Sequence, residues 1–201
     1  DKPLRERILG GDIRLLRCSW LLSGDSDAVL PRHAPSGAAI MARHQELPPE
    51  AFFSPNEAAE LLDRAAELEG VLSTWRPESA ISRLNAEAGG APQPVPAELE
   101  RLLGECLRLT AATGGVFDVT VGPLVDLWKS AGERDRVPGE DEIRAALARV
   151  GPEHVHVLPE GVRLDAGTRV DFGGVAKGFT LDRLGEHLSE QGIERALLSF
   201  G

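Results

Sequence analysis

The sequence predicts a mixed α/β fold, an α+β arrangement in which a mixed sheet carries flanking helices. Three observations predict it. Apolar residues recur at helical spacing in three separate stretches. Two short apolar runs between 154 and 165 are joined by a Pro-Glu-Gly turn. Residues 169–200 read strand, paired glycines, helix, strand.

Each element has its own justification. Asp12 to Leu22 reads as a strand, because Ile13, Leu15, Leu16, Cys18, Trp20 and Leu22 are mostly apolar. Residues 23–50 mix Gly, Ser, Pro and charged side chains without a period, the pattern of a loop or an arm. The expected organisation is an arm over 1–53 and a domain over 54–201. Ser54-Pro55-Asn56-Glu57 has the form of a capping box with proline at the first helical position. Ala58, Leu61, Leu62, Ala65, Leu68, Val71 and Leu72 follow at helical spacing, which predicts a helix to about Thr74. Pro77 disfavours its continuation, so Trp75 to Asn85 is expected as a structured loop or short turn. A second helix runs from about Pro96 to Thr113, with Leu99, Leu102, Leu103, Cys106 and Leu109 inward and Gly114-Gly115 as its stop. Phe117 to Val121 reads as a strand opening into Gly122-Pro123. A third helix covers about Glu140 to Val150, stopped by Gly151. His154–Leu158 and Val162–Asp165 form a hairpin. Arg169–Phe172 is a strand, Gly173-Gly174 a bend, Val175–Glu190 a helix and Ala196–Phe200 a second strand. If the two strands are parallel, the crossover is right-handed. No internal repeat is visible.

Composition narrows the function. The mix of 42% hydrophobic and 27% charged residues is that of a globular chain able to bury a core. A net charge of −10 argues against a general nucleic-acid partner, which needs clustered Lys and Arg. An anionic nucleotide can still bind where backbone N–H groups, a local cation or a metal override the field. Cys18 and Cys106 lie far apart, which indicates neither a zinc site nor a disulfide framework. Reduced, both are equally at home in a cytoplasm, so they leave the compartment open. No stretch reaches the roughly 18–20 apolar residues of a membrane span, and no leader precedes Asp1.

Three segments could carry chemistry. In Asp171-Phe-Gly-Gly-Val-Ala-Lys-Gly178, two glycines at a strand-to-helix bend let a ligand approach the backbone. The free N–H groups of the first helical turn favour a phosphate, and Lys177 adds a cation. The spacing is neither a P-loop nor a dinucleotide fingerprint, and a tight corner with a solvated lysine is the alternative. In Gly114-Gly-Val-Phe-Asp-Val-Thr-Val121, Asp118 and Thr120 share one face of the expected strand, toward either water or ligand hydroxyls. In Ser73-Thr-Trp-Arg-Pro-Glu-Ser-Ala-Ile-Ser-Arg-Leu-Asn85, Ser79, Ser82 and Asn85 crowd one loop as caps or as binding groups. His154 and His156 share a strand face, as metal ligands or as ordinary half-exposed side chains. Asp126 and Asp182 read as surface charges on helices.

Together, Leu72–Asn85, Gly114–Trp128 and Val170–Asp182 resemble the FAD:protein FMN transferases, the ApbE family, in order and spacing, over about residues 55–201. The resemblance implies an ApbE-like fold and a reaction. FAD is cleaved at its pyrophosphate, FMN is attached to a threonine of a target redox protein, and AMP leaves, with Mg2+ neutralising the phosphates. It implies that Ser79, Ser82 and Asn85 line the flavin nucleotide site, that Asp118 and Thr120 face it, and that Gly173, Gly174 and Lys177 approach the FAD. It further implies a site role for Asp182 and the backbone carbonyl of Ala176 as a magnesium ligand.

The sequence departs from the family pattern in two places. No Met-Gly-Thr segment is present near the start, so residues 1–53 are expected to be a divergent arm. The family's later His…Asp-Pro-x-Thr-Gly stretch, whose Asp and Thr complete the magnesium site, is not in the 201 residues. The expectation is therefore a C-terminally incomplete domain. Its rivals to catalysis are a non-catalytic flavin nucleotide-binding protein and an inactive fragment. Family members are often exported and lipid-anchored, and membrane association here would require a segment outside this sequence.

Overall fold

The computed structural model describes residues 14–15, 55–193 and 196–198. The chain divides into two compact units, Asp1–Ala65 with Thr180–Gly201, and Ala66–Phe179. Its elements are β1 (Arg14–Leu15), α1 (Pro55–Leu72), α2 (Ala80–Ala86), α3 (Ala97–Ala112), α4 (Gly122–Glu133), α5 (Glu140–Leu147), a single 3₁₀ turn (Pro152–His154), β2 (Val155–Leu158), β3 (Gly161–Leu164), α6 (Ala176–Glu190) and β4 (Ala196–Leu197).

The unit Ala66–Phe179 is built around one apolar cluster. Leu68 and Leu72 of α1, Ile81 and Leu84 of α2, and Leu99, Leu102, Leu103 and Cys106 of α3 meet Val155, Val162 and Leu164 of the hairpin. Val119, Val170, Phe172 and Phe179 complete it. The periodicity that predicts α1 and α3 is in the main the face each helix buries, except that Leu62 and Leu109, counted in those patterns, are exposed. β2 and β3 pair antiparallel, with Val155 opposite Leu164 and Val157 opposite Val162. β3 gains a second neighbour where Val162 and Gln93 exchange both backbone hydrogen bonds, at 2.8 and 2.9 Å. Gly161 must be glycine there: its φ is +135°, and a Cβ would sit 2.1 Å from the Gln93 carbonyl oxygen. α2 lies against β3, and α4 against α5.

In the other unit, Leu61, Leu184 and Leu188 are buried together, with Ala58, Ala65, Ile193 and Leu198 packed around them. β4 pairs with β1 in parallel, Arg14 opposite Ala196 and Leu15 opposite Leu197. The rest of the expected 12–22 strand, the 23–50 arm and the Ser54 cap lie outside the described residues.

Several expectations change. Phe117–Val121 is not a strand: Asp118 draws its chain back into a turn, and only Val121 pairs, as an isolated parallel bridge to Arg169. Arg169–Phe172 is extended but pairs as a strand nowhere else. The Trp75–Asn85 loop contains α2, because Ser79 caps a new helix two residues after Pro77. α5 stops at Leu147 rather than Val150. α4, foreseen only at Asp126, runs from Gly122, with Pro123 in its first turn.

α5 begins with a local ion pair. The Glu142 carboxylate binds the Arg136 guanidinium with two hydrogen bonds, of 2.7 and 2.9 Å, and accepts the Gly139 N–H at 2.8 Å. Arg136, then Gly139, hold the Glu142 carboxyl down to about 2. A carboxyl depressed in the folded state stabilises above its unfolded pKa and loses that contribution as pH falls through the folded value. Between pH 4.5 and about 2 the wild-type protein therefore loses stability that Glu142→Gln never had. The expected result is a melting-temperature gap between the two at neutral pH that closes across this window. A gap that persists below pH 2 would contradict it.

Candidate functional site

The three chemistry-bearing segments meet in the unit Ala66–Phe179. The stretch 169–171 is held from both sides. Asn85, at the C-terminal end of α2, donates its amide to the Val170 carbonyl at 2.9 Å and accepts the Val170 N–H at 2.8 Å. On the other side, Asp171 N–H donates to the Val119 carbonyl at 2.8 Å, and Gly122 N–H to the Arg169 carbonyl at 3.2 Å. The Arg169 guanidinium also pairs with the Asp126 carboxylate of α4.

Beyond Asp171 the chain turns into α6. The Asp171 Oδ1 accepts the Gly173 N–H at 2.7 Å, an Asx turn. The Phe172 carbonyl accepts two N–H groups, from Val175 at 2.9 Å and Ala176 at 2.8 Å. The Phe172 side chain is fully buried and anchors the bend. Gly174 has open space within 4 Å and no positive φ, so nothing inside the chain demands glycine there. Its effect is to leave the backbone uncovered beside the first turn of α6, where the Gly173, Val175 and Ala176 N–H groups donate to Asp171 and Phe172. Lys177 is exposed on that turn.

The 118–122 turn is tied further. The Asp118 Oδ1 accepts both the N–H and the hydroxyl of Thr120, at 2.8 and 2.7 Å. Thr120 is fully buried, and its oxygen accepts the Gly151 N–H at 2.7 Å. Thr120 therefore spends its hydroxyl inside the protein, while among the described residues the second oxygen of half-exposed Asp118 has no partner.

The sequence-identified residues are not all alike in position. Asn85, Asp118, Gly173, Gly174 and the start of α6 with Ala176 and Lys177 gather around residues 169–172. Ser79 is fully buried and accepts the Ser82 N–H at 3.1 Å as the α2 cap. The Ser82 hydroxyl reaches back to the Ser73 carbonyl at 3.5 Å. Asp182 is exposed and belongs to the other unit. His154 and His156 converge on Asp165, at 3.2 and 2.8 Å, and their hydrogen bonds, that of His156 first, lower the Asp165 carboxyl below its ordinary range. Among the described residues no three acidic, histidine or cysteine side chains gather into a metal-holding group. Burial pushes the Cys106 thiol up to about 12, which makes it an inert core side chain. Asp126, read as a surface charge, is a partner of Arg169, and Asp171 was part of a motif without an assigned task. The only sequence signal for Asp171 was an aspartate two residues before a glycine bend.

Solved structures share this fold. The flavin transferase ApbE of Vibrio cholerae superposes with a TM-score of 0.65 at 32% identity, over 70% of this chain and 46% of that one. The flavinyl transferase ApbE of Pseudomonas stutzeri gives 0.65 at 29% identity, again over 70% and 46%. The fold is thus the α/β fold of the ApbE flavin transferases. The FAD:protein FMN transferase of Treponema pallidum is 36% identical over 141 residues, 66% of this chain and 39% of that protein. That of Escherichia coli K12 is 33% identical over 138 residues, 65% and 39%. The ApbE family profile matches residues 39–201, and the chain belongs to the ApbE family. The matched part spans about two fifths of the curated relatives' length and under half of the solved ones.

Proposed function

We propose that the protein is a flavin transferase that moves FMN from FAD onto a threonine of a target redox protein and releases AMP, in a Mg2+-dependent reaction. The observation that carries this reading is the Asp171–Ala176 bend, held by Asn85 and the 119–122 turn, in a chain that belongs to the ApbE family. An uncovered glycine backbone at the positive end of the α6 dipole suits the FAD pyrophosphate. In this reading Gly173, Gly174 and Lys177 meet the phosphates. Ser79, Ser82, Asn85, Asp118 and Thr120 define the nucleotide site, with Ser79 and Thr120 acting from buried positions.

In the transfer, the threonine oxygen forms a bond to the phosphorus of the FMN half. The bond from that phosphorus to the oxygen bridging toward AMP breaks. AMP departs with the bridging oxygen, and the hydroxyl proton is released. A bound Mg2+ would be held mainly by substrate phosphates, with few protein oxygens. The Ala176 carbonyl is the proposed protein ligand. When bound, the ion neutralises charge that develops on the pyrophosphate oxygens. The chain's own part is to hold the backbone still, so that its N–H groups need no reorganisation during transfer.

The test is calorimetric titration of FAD with and without Mg2+, followed by an AMP assay in the presence of a threonine-bearing acceptor. The expected result is binding strengthened by Mg2+ and AMP released in step with flavin on the acceptor. The rival reading is a non-catalytic flavin nucleotide-binding protein. Saturable FAD binding with no AMP would select it and reject transfer.

A further inference from the structure

We infer that Asn85 is a positioning residue. Its amide sets the geometry of the bend that receives the nucleotide phosphates, and it makes no contact with the nucleotide. The inference rests on the flavin reading above and changes what Asn85 does within it.

The geometry is specific. The Asn85 amide faces the Val170 peptide with its oxygen toward the N–H and its nitrogen toward the carbonyl, at 2.8 and 2.9 Å. Those are the two bonds a neighbouring strand would supply. Among the described residues no strand pairs there: the pairing of 169–171 on its other side comes from Val119, Val121 and Gly122. A side chain thus substitutes for a missing strand at one residue. At neutral pH an amide does this, because it presents a donor and an acceptor in one plane. Val170 is fully buried, so water cannot replace either bond.

The effect reaches the bend through one residue. With Gly122 holding the Arg169 carbonyl and Val119 the Asp171 N–H, Asn85 completes the fixing of three consecutive residues. The next bond is from the Asp171 carboxylate to the Gly173 N–H. Movement at Val170 therefore displaces the acceptor that orients the glycine backbone. In binding terms Asn85 acts on the phosphates through Val170, Asp171 and Gly173.

The test compares wild type, Asn85→Asp and Asn85→Ala in the intact protein, using FAD with Mg2+ as the probe. Two quantities are read: FAD affinity, and amide hydrogen exchange over residues 168–176. At about pH 8 the Asn85→Asp carboxylate still accepts the Val170 N–H but faces the carbonyl without a proton to donate, so FAD affinity is expected to fall about tenfold or more. Exchange should rise over 168–176 and not elsewhere in Ala66–Phe179. Burial raises a carboxyl pKa, so toward about pH 5 the protonated side chain regains a donor and both readings move back toward wild type. Asn85→Ala shows no such recovery. The charged neighbours along the chain, Arg169 and Asp171, are common to all three proteins, and the affinity ratio to wild type removes their titration.

Weaker FAD binding with unchanged exchange over 168–176 would mean direct contact and overturns the proposal. Faster exchange with unchanged affinity would mean a role in folding alone and also overturns it. Failure of the wild type to bind FAD at any Mg2+ concentration overturns the flavin reading itself, a result separate from either.

Discussion

Phe172→Ala is expected to destabilise the protein by about 3–5 kcal/mol, the range for deleting a fully buried phenylalanine from a close-packed core. Phe172 is fully buried in the same cluster as Val170, Val119, Leu103 and Ile81. Native domains are stable by only about 5–15 kcal/mol, so this single change removes a large share. Its consequence is also local, because the Phe172 carbonyl holds the N–H groups of both Val175 and Ala176. A cavity there lets the carbonyl shift and frees the first turn of α6. Urea denaturation measures the loss directly. Phe172→Leu keeps most of the volume and should cost well under half as much. A loss below about 1 kcal/mol for the alanine variant would show that the core closes over the gap and that Phe172 anchors nothing.

Gly122→Ala is the second large effect, and it acts on the site. A Cβ at Gly122 would lie 2.5 Å from the Arg169 carbonyl oxygen and 2.7 Å from the Arg169 Cγ. Backbone blocks it, so α4 and the 169–171 stretch must separate. Overpacking of this kind costs about 1–3 kcal/mol. It also breaks the Gly122 N–H bond to Arg169 and strains the Arg169–Asp126 pair. FAD affinity is expected to fall about tenfold or more, since about 1.4 kcal/mol is a factor of ten. Gly132→Ala is the control. It lies in the same helix with nothing within 4 Å, and alanine there should be neutral or slightly stabilising. Equal FAD affinity in Gly122→Ala and wild type would detach the α4 contact from the site.

What could be read in the sequence follows the range of the forces involved. α1, α3 and α6 and the β2–β3 hairpin were legible because their signals are local: apolar spacing, a proline near a helix start, a glycine stop. The fold class and the ApbE resemblance were legible for the same reason, since each motif is contiguous. The errors fell where a side chain competes with the backbone. Alternation at Phe117–Val121 has the period of a strand, yet the Asp118 carboxylate takes the Thr120 N–H and makes a turn. Pro77 reads as the end of helical structure, yet Ser79 starts α2 two residues later.

By itself, then, the sequence determined the fold class, the helices with strong periodicity, the three site-bearing segments and the family they resemble. Only the tertiary structure decided how the segments are joined. It spends the Thr120 hydroxyl on Asp118 and Gly151, turns Asp126 from a surface charge into the partner of Arg169, and matches Asn85 to Val170. The reason is physical: apart from the local Thr120–Asp118 bond, these bonds link residues 31, 43 and 85 positions apart. Periodicity and capping act over a few residues, whereas a buried polar group pairs with whatever the packed core brings beside it.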